Sequence, residues 1–226
     1  MSHNDRLWSE HYKNNPNASS SYPEAFVNRL LRSKFPVPGL DNISYQGLRI
    51  LDLSCGYGRN FGLLRDLGFD LHATEVTDDL VASLSKQHPE LDIRQGKAHD
   101  LPFEDSYFNG VVACNSCYYL EEGVRFSDNL AEIHRILSPG GWFLGSIISS
   151  EHSAMEGAIA QKDGSSLICN DSLGLRNNYR FQGASSELEV EDLLMTYFTR
   201  CKIGNLQDSF MGFKRYLFYF TCYRNG

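Results

Sequence analysis

Residues 51–60 read Leu51-Asp52-Leu53-Ser54-Cys55-Gly56-Tyr57-Gly58-Arg59-Asn60, and this stretch decides the predicted fold. The apolar run that leads into it, residues 48–53, is typical of a short buried β-strand. Two glycines then mark a tight turn, after which apolar residues repeat at helical spacing between Phe61 and Leu67. Gly68 stands where a left-handed C-terminal cap belongs, so the spacing predicts a helix from about Gly58 to Gly68. The stretch is therefore a strand, a glycine turn and a helix.

The same alternation continues along the chain. Thr77 precedes Asp78 and Asp79, which is typical of a helix N-cap followed by acids that complement the helix dipole. Another amphipathic helix is predicted to end at the Ser-Pro-Gly-Gly run of residues 138–141. The later strands are predicted at residues 71–76, 91–94, 110–114 and 142–148. Strands that alternate with helices in this way predict an α/β fold with a doubly wound, mostly parallel, Rossmann-like sheet.

Residues 149–185 interrupt the alternation. They are rich in Gly, Ser and Asn and hold only two short strand-like pieces, at residues 166–169 and 179–182. This composition predicts an inserted cap rather than a continuation of the sheet.

The end of the chain returns to regular structure. An S-x-x-E capping box that starts at Ser186 predicts a helix through Phe198. Two strands are predicted after it, at residues 202–206 and 215–223. They must pair antiparallel because too little sequence separates them for a crossover helix.

Composition excludes several classes of partner. The 226 residues are 42% hydrophobic and 22% charged, and the formal net charge is −7. Such a chain lacks the basic field that attracts phosphate backbones or anionic lipid, so we expect neither a nucleic acid nor a membrane partner. The longest apolar runs are strand-sized, and the polar N-terminus lacks the apolar region of a signal peptide. Six scattered cysteines do not form a secreted disulfide scaffold, so we expect a cytoplasmic protein.

The glycine turn is a candidate ligand site. Such a turn lets the backbone approach a ligand, and the helix N-terminus offers free N–H groups to an anionic end. Glu75 ends the second predicted strand, where a carboxylate can accept the hydroxyl hydrogens of a ribose. Dinucleotides and S-adenosylmethionine both suit this layout. Phe61 replaces the third glycine of a dinucleotide turn, and Asp52 places an acid beside the loop, so the residues favour S-adenosylmethionine.

From about residue 48 to the last strand, the chain resembles the class I S-adenosylmethionine-dependent methyltransferases. The segments that look like successive motifs of that family are residues 50–58, 75–77, 96–103, 108–120 and 132–141. The glycine loop alone is a weak signal, but several motifs in the right order are specific. The resemblance implies methyl transfer from S-adenosyl-L-methionine to an oxygen or nitrogen atom of a small-molecule acceptor by in-line displacement.

The resemblance also implies an architecture. It predicts a seven-stranded sheet with an antiparallel last strand, N-terminal helices and a capping insert, all within one domain spanning residues 1–226. The segments of that domain are an N-terminal helical lid (1–40), a cofactor-binding core (48–148), the capping insert (149–185) and the last helix with the C-terminal strands (186–226). The lid and the insert would cover the acceptor.

Loop chemistry and resemblance together assign a set of residues to the cofactor. They are Asp52, Ser54, Cys55, Gly56, Gly58, Arg59, Asn60, Glu75, Val76, Ala98 and Asn115. Among them, Asp52 can hold the loop amides or a ligand ammonium, and the backbone carbonyl of Asn115 is a further partner for that ammonium. Arg59 and Asn60 are candidates for contact with the cofactor carboxylate, although a solvated Arg is equally usual at such a position.

Three positions depart from the family pattern. Ser54 stands where the family often has glycine, which is tolerable if the backbone keeps a negative φ there. Lys97 replaces the usual Asp that meets the adenine amino group, so adenine recognition would fall to the backbone amide of Ala98. Asn109 replaces a common Asp, which we interpret as a structural exchange.

Catalytic residues are harder to assign. Tyr118 and Tyr119 follow the fourth strand, and either could line the acceptor pocket together with Tyr22 of the N-terminal helices. His152, just past the fifth predicted strand, is the histidine nearest the expected crevice and a candidate for proton transfer. A sulfonium donor is already activated, so positioning and desolvation can supply much of the catalysis without a base.

Some alternatives stay open. No metal is expected, because Asn115 occupies the position where metal-dependent relatives place an acid and no carboxylate cluster accompanies it. The competing functions are an NAD(P)-dependent oxidoreductase and a catalytically silent S-adenosylmethionine-binding module. The sequence leaves the acceptor unidentified and allows a monomer or a homodimer.

Overall fold

A mixed β-sheet with helices on both faces forms the centre of the computed structural model, which describes residues 3–15, 22–33, 40, 44–172 and 174–225. The strands are β1 (Arg49–Asp52), β2 (Asp70–Glu75), β3 (Asp92–Gln95), β4 (Phe108–Ala113), β5 (Tyr119–Leu120), β6 (Leu137–Ser149), β7 (Ile159–Ala160), β8 (Ser166–Leu167), β9 (Arg180–Phe181), β10 (Gly183–Ala184), β11 (Phe198–Phe210) and β12 (Phe213–Arg224). The helices are α1 (His3–Asn14), α2 (Ala25–Arg32), α3 (Phe61–Asp66), α4 (Asp78–Gln87), α5 (Phe126–Ile136) and α6 (Glu187–Met195). Residues 1–2, 16–21 and 34–39 of the predicted lid lie outside the described residues.

The main sheet has the predicted doubly wound topology. Its strand order is β11-β12-β6-β4-β1-β2-β3. Strands β3, β2, β1, β4 and β6 pair in parallel, whereas β12 runs antiparallel to both β6 and β11. The seven-stranded, mostly parallel prediction is thus confirmed. Strand β10 adds a short eighth member by pairing in parallel with the end of β6.

Alternating side chains on the strands supply two cores, one on each face of the sheet. In β1, Leu51 packs in a cluster that includes Leu130 of α5 and Leu194 of α6. Its neighbour Ile50 packs in the other cluster, with residues of α2, α3 and α4 such as Leu64. Because both faces are covered, the polar ends of the strands are the part of the sheet that is left to bind a ligand.

Most predicted boundaries are correct to within a few residues. Gly68 has a φ of +87°, as expected for the cap of α3. The Thr77 hydroxyl accepts a hydrogen bond from the Leu80 amide and caps α4 as predicted. The regular helix α3 begins at Phe61 rather than Gly58, because the glycine turn occupies the residues between.

The C-terminal helix needs two corrections. It ends at Met195 and not at Phe198, because Phe198 already pairs with Arg224 in the hairpin of β11 and β12. The predicted capping box is only half formed. The Ser186 hydroxyl accepts from the Glu189 amide at 3.2 Å, but the Glu189 carboxylate accepts from the amide and hydroxyl of Ser185.

The predicted capping insert forms a separate small sheet. Strands β7, β8 and β9 pair antiparallel, and β9 also pairs with β5, which follows β4 of the main sheet. This pairing holds the insert over the ends of the main strands. Helix α1 rests on α4, where the Ser9 hydroxyl and Lys13 ammonium contact the Asp79 carboxylate at 2.6 and 2.7 Å. None of the described helices has the length and apolar character needed to cross a membrane.

Candidate functional site

A cleft opens where β1, β2 and β4 end, beneath α1 and the capping insert. It has two adjoining ends that share the side chains of Trp8, Tyr12, Ser54, Asn115 and Tyr119. We call one the Glu75 end, which is also lined by Val76, Lys97, Ala98, Glu121 and Tyr179. The other is the Asp52 end, which is also lined by His11, Cys55, Gly56, Arg59, Asn60, Leu175 and Arg176. The Glu75 end holds about 640 Å³ of empty space, counting its open mouth.

The glycine loop curls through the left-handed region of backbone space. Gly56 and Gly58 have φ values of +59° and +75°, which glycine adopts without steric cost. Ser54 also has a positive φ of +52°, so the expectation of a negative φ at this position was wrong. Hydrogen bonds to β2 hold this conformation. The Ser54 amide donates to the Thr74 hydroxyl, and the Cys55 amide donates to the Thr74 carbonyl. A cost of about 1–2 kcal/mol accompanies such a conformation in an L-residue.

Asp52 is a buried acid whose carboxylate has no hydrogen-bond partner within 3.5 Å among the residues that the structure describes. The residue is only 1% exposed. Burial raises its pKa to about 7, a shift that the nearby Asn60 amide and Arg59 guanidinium only partly offset. A buried carboxylate of this kind is costly unless a donor or cation meets it. Because Asp52 lines the cleft, a cationic ligand group could be that partner.

Glu75 ties the glycine loop to β2. One carboxylate oxygen accepts from the Gly56 amide at 2.8 Å and the other accepts from its neighbour, the Val76 amide, at 2.8 Å. Burial raises the pKa of Glu75, and these two amides act against that shift. Each carboxylate oxygen can accept a second hydrogen bond, so Glu75 can hold the loop and still receive ligand hydroxyls.

Arg59 and Asn60 both line the Asp52 end, but each also contacts Glu24, just before α2. The Arg59 guanidinium forms an ion pair with the Glu24 carboxylate at 2.8 Å, and the Asn60 side-chain oxygen accepts from the Glu24 amide at 3.3 Å. The two residues therefore position the N-terminal part of the chain at the cleft. Gly58 does not line the cleft, and a Cβ atom there would lie 2.6 Å from the Phe61 ring.

Asn115 lies between the two ends of the cleft, directly after β4. It has a φ of +57°, which Asn tolerates better than most residues. The Ser146 hydroxyl bridges it, donating to the Asn115 side-chain oxygen and accepting from the Asn115 amide, both at 3.0 Å. This bridge fixes the backbone turn whose carbonyl we predicted as a ligand partner.

Lys97 joins three parts of the chain at the Glu75 end. Its ammonium lies 2.9 Å from the Glu121 carboxylate and 3.3 Å from the buried Asp5 carboxylate of α1. Lys97 thus lies in the loop that we predicted to meet the edge of the adenine, and its ion pair with Asp5 holds α1 over this end of the cleft. Ala98, the next residue, lines the cleft as expected.

The four predicted acceptor and catalytic residues are separated by the fold. Tyr119 lines both ends of the cleft. Tyr118 is buried behind it, against Phe181, and does not line the cleft. His152 also lies outside the cleft, where its Nδ1 accepts from the Ala154 amide and burial lowers its pKa to about 4. Tyr22 is 78% exposed and contributes to neither end.

Several cleft residues were not found from the sequence. Trp8, His11 and Tyr12 share one face of α1, and their i, i+3, i+4 spacing was the available signal. Trp8 stacks on Tyr12 at 5.7 Å and meets the edge of Tyr119 at 6.5 Å. Arg176 enters from the capping insert, and no local pattern in the sequence marks it. Among the described residues, no cluster of three His, Cys, Asp or Glu side chains could hold a metal ion.

Comparison with known proteins places the central segment in a family. Residues 51–145 match the model of the methyltransferase domain family. Over 103 residues the chain is 39% identical to a probable phthiotriol/phenolphthiotriol dimycocerosates methyltransferase 2 of Mycobacterium ulcerans (strain Agy99), a match that covers 43% of this chain and 38% of the relative. Over 108 residues it is 33% identical to a fatty-acid O-methyltransferase of Mycolicibacterium smegmatis, covering 44% of this chain and 36% of that one. The matched segment is thus well under half of each relative's length.

A solved structure extends the likeness to nearly the whole fold. The crystal structure of a protein from Pyrococcus horikoshii OT3 is similar over 96% of this chain and 99% of its own, with a TM-score of 0.61 at 21% identity. The two proteins therefore share a fold.

Proposed function

We propose that the chain is a class I S-adenosylmethionine-dependent methyltransferase, as the match of residues 51–145 supports, and that it transfers the methyl group of S-adenosyl-L-methionine to an oxygen or nitrogen atom of a small-molecule acceptor. The observation that carries the proposal is the buried carboxylate of Asp52. It has no hydrogen-bond partner in the described chain and faces the same cleft as Glu75. A ligand with both an ammonium group and a ribose fits these two acids.

The residues present fit such a cofactor along the length of the cleft. Glu75 would accept the ribose hydroxyls, while Val76 and the turn at Ala98 would flank the adenine. Asp52 and the Asn115 carbonyl would receive the ammonium. The glycine loop lets the protein backbone approach the part of the cofactor that lies between its ribose and its ammonium group. When bound, the sulfonium supplies an activated methyl group, and the protein's part is to align the acceptor and exclude water.

The cleft and the relatives both support a small acceptor. Helix α1 and the insert both contribute lining residues, and the aromatic side chains of Trp8, Tyr12 and Tyr119 suit an apolar acceptor. The names of the relatives point to lipid-like acceptors, dimycocerosates and fatty acids. A formal charge of −7 argues against nucleic acid. We retain the single-domain division, the cytoplasmic location and a monomer or homodimer as predictions.

Calorimetry with S-adenosylhomocysteine, the demethylated cofactor, tests the proposal directly. We expect micromolar binding to the purified chain and no binding of NAD under the same conditions. Heat with NAD and none with S-adenosylhomocysteine would favour the oxidoreductase instead. Incubation with methyl-labelled donor and a panel of acceptors then separates an enzyme from a silent module, which would bind the donor and transfer nothing.

A further inference from the structure

Arg176 is held by Asp171, an acid five residues before it. Its Nη1 atom lies 2.7 Å from one oxygen of Asp171, and its own backbone amide donates to the other oxygen at 3.1 Å. The Asp171 side chain is only 1% exposed, and the Asp171 amide donates to the Asn177 side chain at 2.8 Å. This closed loop orients the guanidinium before any ligand arrives, which is how a buried acid preorganises an arginine for recognition.

The guanidinium also faces the cleft. Arg176 lines the Asp52 end beside Leu175, Tyr119 and Trp8, and its side chain is 24% exposed. Among the described residues, the Asp171 carboxylate accepts from Nη1 of this guanidinium, and the Tyr119 hydroxyl is a second, neighbouring partner. Burial raises the pKa of the Tyr119 hydroxyl, and the nearby Arg176 guanidinium partly opposes that shift. An arginine side chain has five donors in a planar fork, so donors are left for a ligand.

We propose that Arg176 binds a carboxylate group of the methyl acceptor, so that the product is a methyl ester. This inference rests on the proposed function and adds the chemical class of the acceptor. The planar fork of an arginine matches a carboxylate in a paired, charge-assisted geometry. Leu175, Trp8 and Tyr119 would contact the apolar body behind that carboxylate.

Methyl transfer to a carboxylate needs no catalytic base, which agrees with the positions of His152 and Tyr118 outside the cleft. A carboxylic acid with an ordinary pKa is already ionised at neutral pH, so its oxygen can attack without a base. In the transfer, an oxygen–carbon bond forms to the methyl group while the carbon–sulfur bond breaks, and its electron pair stays on sulfur. A negative acceptor and a positive sulfonium become two neutral groups, ester and thioether, with no proton to place. The position of His152 and Tyr118 outside the cleft is then no obstacle.

A hydroxyl or amine acceptor is the competing case. His11 on α1 faces the same end of the cleft and could accept a proton from a hydroxyl. Such an acceptor would not need the Arg176 fork. The two cases therefore differ in which acceptors bind and in how much Arg176 matters.

The test uses the full chain and matched acceptors. S-adenosylhomocysteine binding is measured first by calorimetry, and failure there contradicts the proposed function itself. Octanoate and phenylacetate are then titrated into the complex with S-adenosylhomocysteine, beside octanamide and phenylacetamide. With methyl-labelled donor, transfer is measured for the acids, the amides, octanol and octylamine. We expect binding of, and transfer to, the acids only.

Variants assign that selectivity to Arg176. Arg176→Met should lower kcat/KM for the acid by about ten- to a hundred-fold, the loss expected for a charge-assisted hydrogen bond. Arg176→Lys should retain part of the activity because it keeps the charge but not the fork. Both should bind S-adenosylhomocysteine within about twofold of the parent, which shows that they fold. Lys162→Met, an exposed cation elsewhere in the insert, is the control and should change nothing.

Two results would overturn the inference while leaving the proposed function intact. One is that S-adenosylhomocysteine binds but neither acid does. The other is that octanol or octylamine is methylated equally well by the parent and by Arg176→Met.

Discussion

The carboxylate of Glu75 accepts a hydrogen bond of 2.8 Å from the backbone amide of Gly56. This bond joins the end of β2 to the glycine loop after β1, and the second oxygen of Glu75 holds the start of the next segment through the Val76 amide. The acid therefore has two functions that mutation can separate. It shapes the loop, and it is the group that we propose to bind the ribose.

Replacing Glu75 should reduce both cofactor affinity and stability. In Glu75→Ala the amides of Gly56 and Val76 lose their acceptors, which costs about 1–3 kcal/mol for each buried group left unpaired. S-adenosylhomocysteine should bind about ten- to a hundred-fold more weakly by calorimetry. Glu90→Ala, which removes a half-exposed partner of Arg65, is the matched control and should change little. Normal affinity in a destabilised Glu75→Ala protein would restrict Glu75 to a structural role.

The raised pKa of Asp52 predicts a pH-dependent cost to folding. Its pKa rises from 3.8 to about 7 because of burial, so ionisation opposes the folded state. The cost is absent below the unfolded pKa, grows as the pH rises, and is complete once the pH exceeds the folded pKa. The stability of Asp52→Asn relative to the parent should therefore be roughly 2–3 kcal/mol greater at about pH 8 than at about pH 5. Urea denaturation at the two pH values measures this, and an equal difference at both would refute the assignment.

Cofactor binding should also depend on the ionisation of Asp52, but a rise in pH should favour binding whereas it disfavours folding. If the ligand ammonium meets Asp52, it favours the ionised carboxylate, so binding near pH 7 releases a proton and affinity rises with pH. Calorimetry in two buffers of different ionisation enthalpy measures that proton. His11 and His99 also line the cleft, so Asp52→Asn is the decisive comparison. A proton release that persists in this variant would exclude Asp52 as its source.

The sequence predicted those parts of the site that are encoded locally. The loop from Asp52 to Asn60 and the acid Glu75 follow directly from a strand, a glycine turn and the next strand. Topology then brings them together, because parallel strands end at the same edge of a sheet. The separation of Tyr119 from Tyr118 was not predictable, since it depends on which of two adjacent side chains faces the insert.

Residues that reach the cleft through tertiary packing could not be predicted from local sequence patterns. Arg176 is positioned by Asp171 within an insert that has no regular pattern, and β9 must pair with β5 before the insert covers the cleft. Trp8 reaches the cleft because α1 docks on α4 and on Lys97. The end of α6 was misjudged because pairing of Phe198 with Arg224 outweighed the apolar helical spacing.

Trp8 should report ligand binding by its fluorescence. The sequence has two tryptophans, and Trp142 is buried in the core beneath Gly110, far less able to sense a ligand. Trp8 lines both ends of the cleft and stacks on Tyr12. S-adenosylhomocysteine should therefore change the emission of the parent but not that of Trp8→Phe, with binding of the variant checked by calorimetry. The same spectral change in Trp8→Phe would show that Trp142, and not Trp8, senses the ligand.

Ser54 offers a test of strain in the glycine loop. Its φ of +52° costs an L-residue about 1–2 kcal/mol, whereas glycine would pay about 0.5–1 kcal/mol in unfolded-state entropy. Ser54→Gly should therefore raise the free energy of unfolding by up to about 1 kcal/mol. Gly56→Ala is the reciprocal variant. The Tyr12 hydroxyl, 3.6 Å away, leaves room for its Cβ, so its expected loss of about 1 kcal/mol would come from the φ of +59° alone. Urea denaturation measures both variants, and a less stable Ser54→Gly protein would mean that the serine side chain makes a contact worth more than the backbone strain.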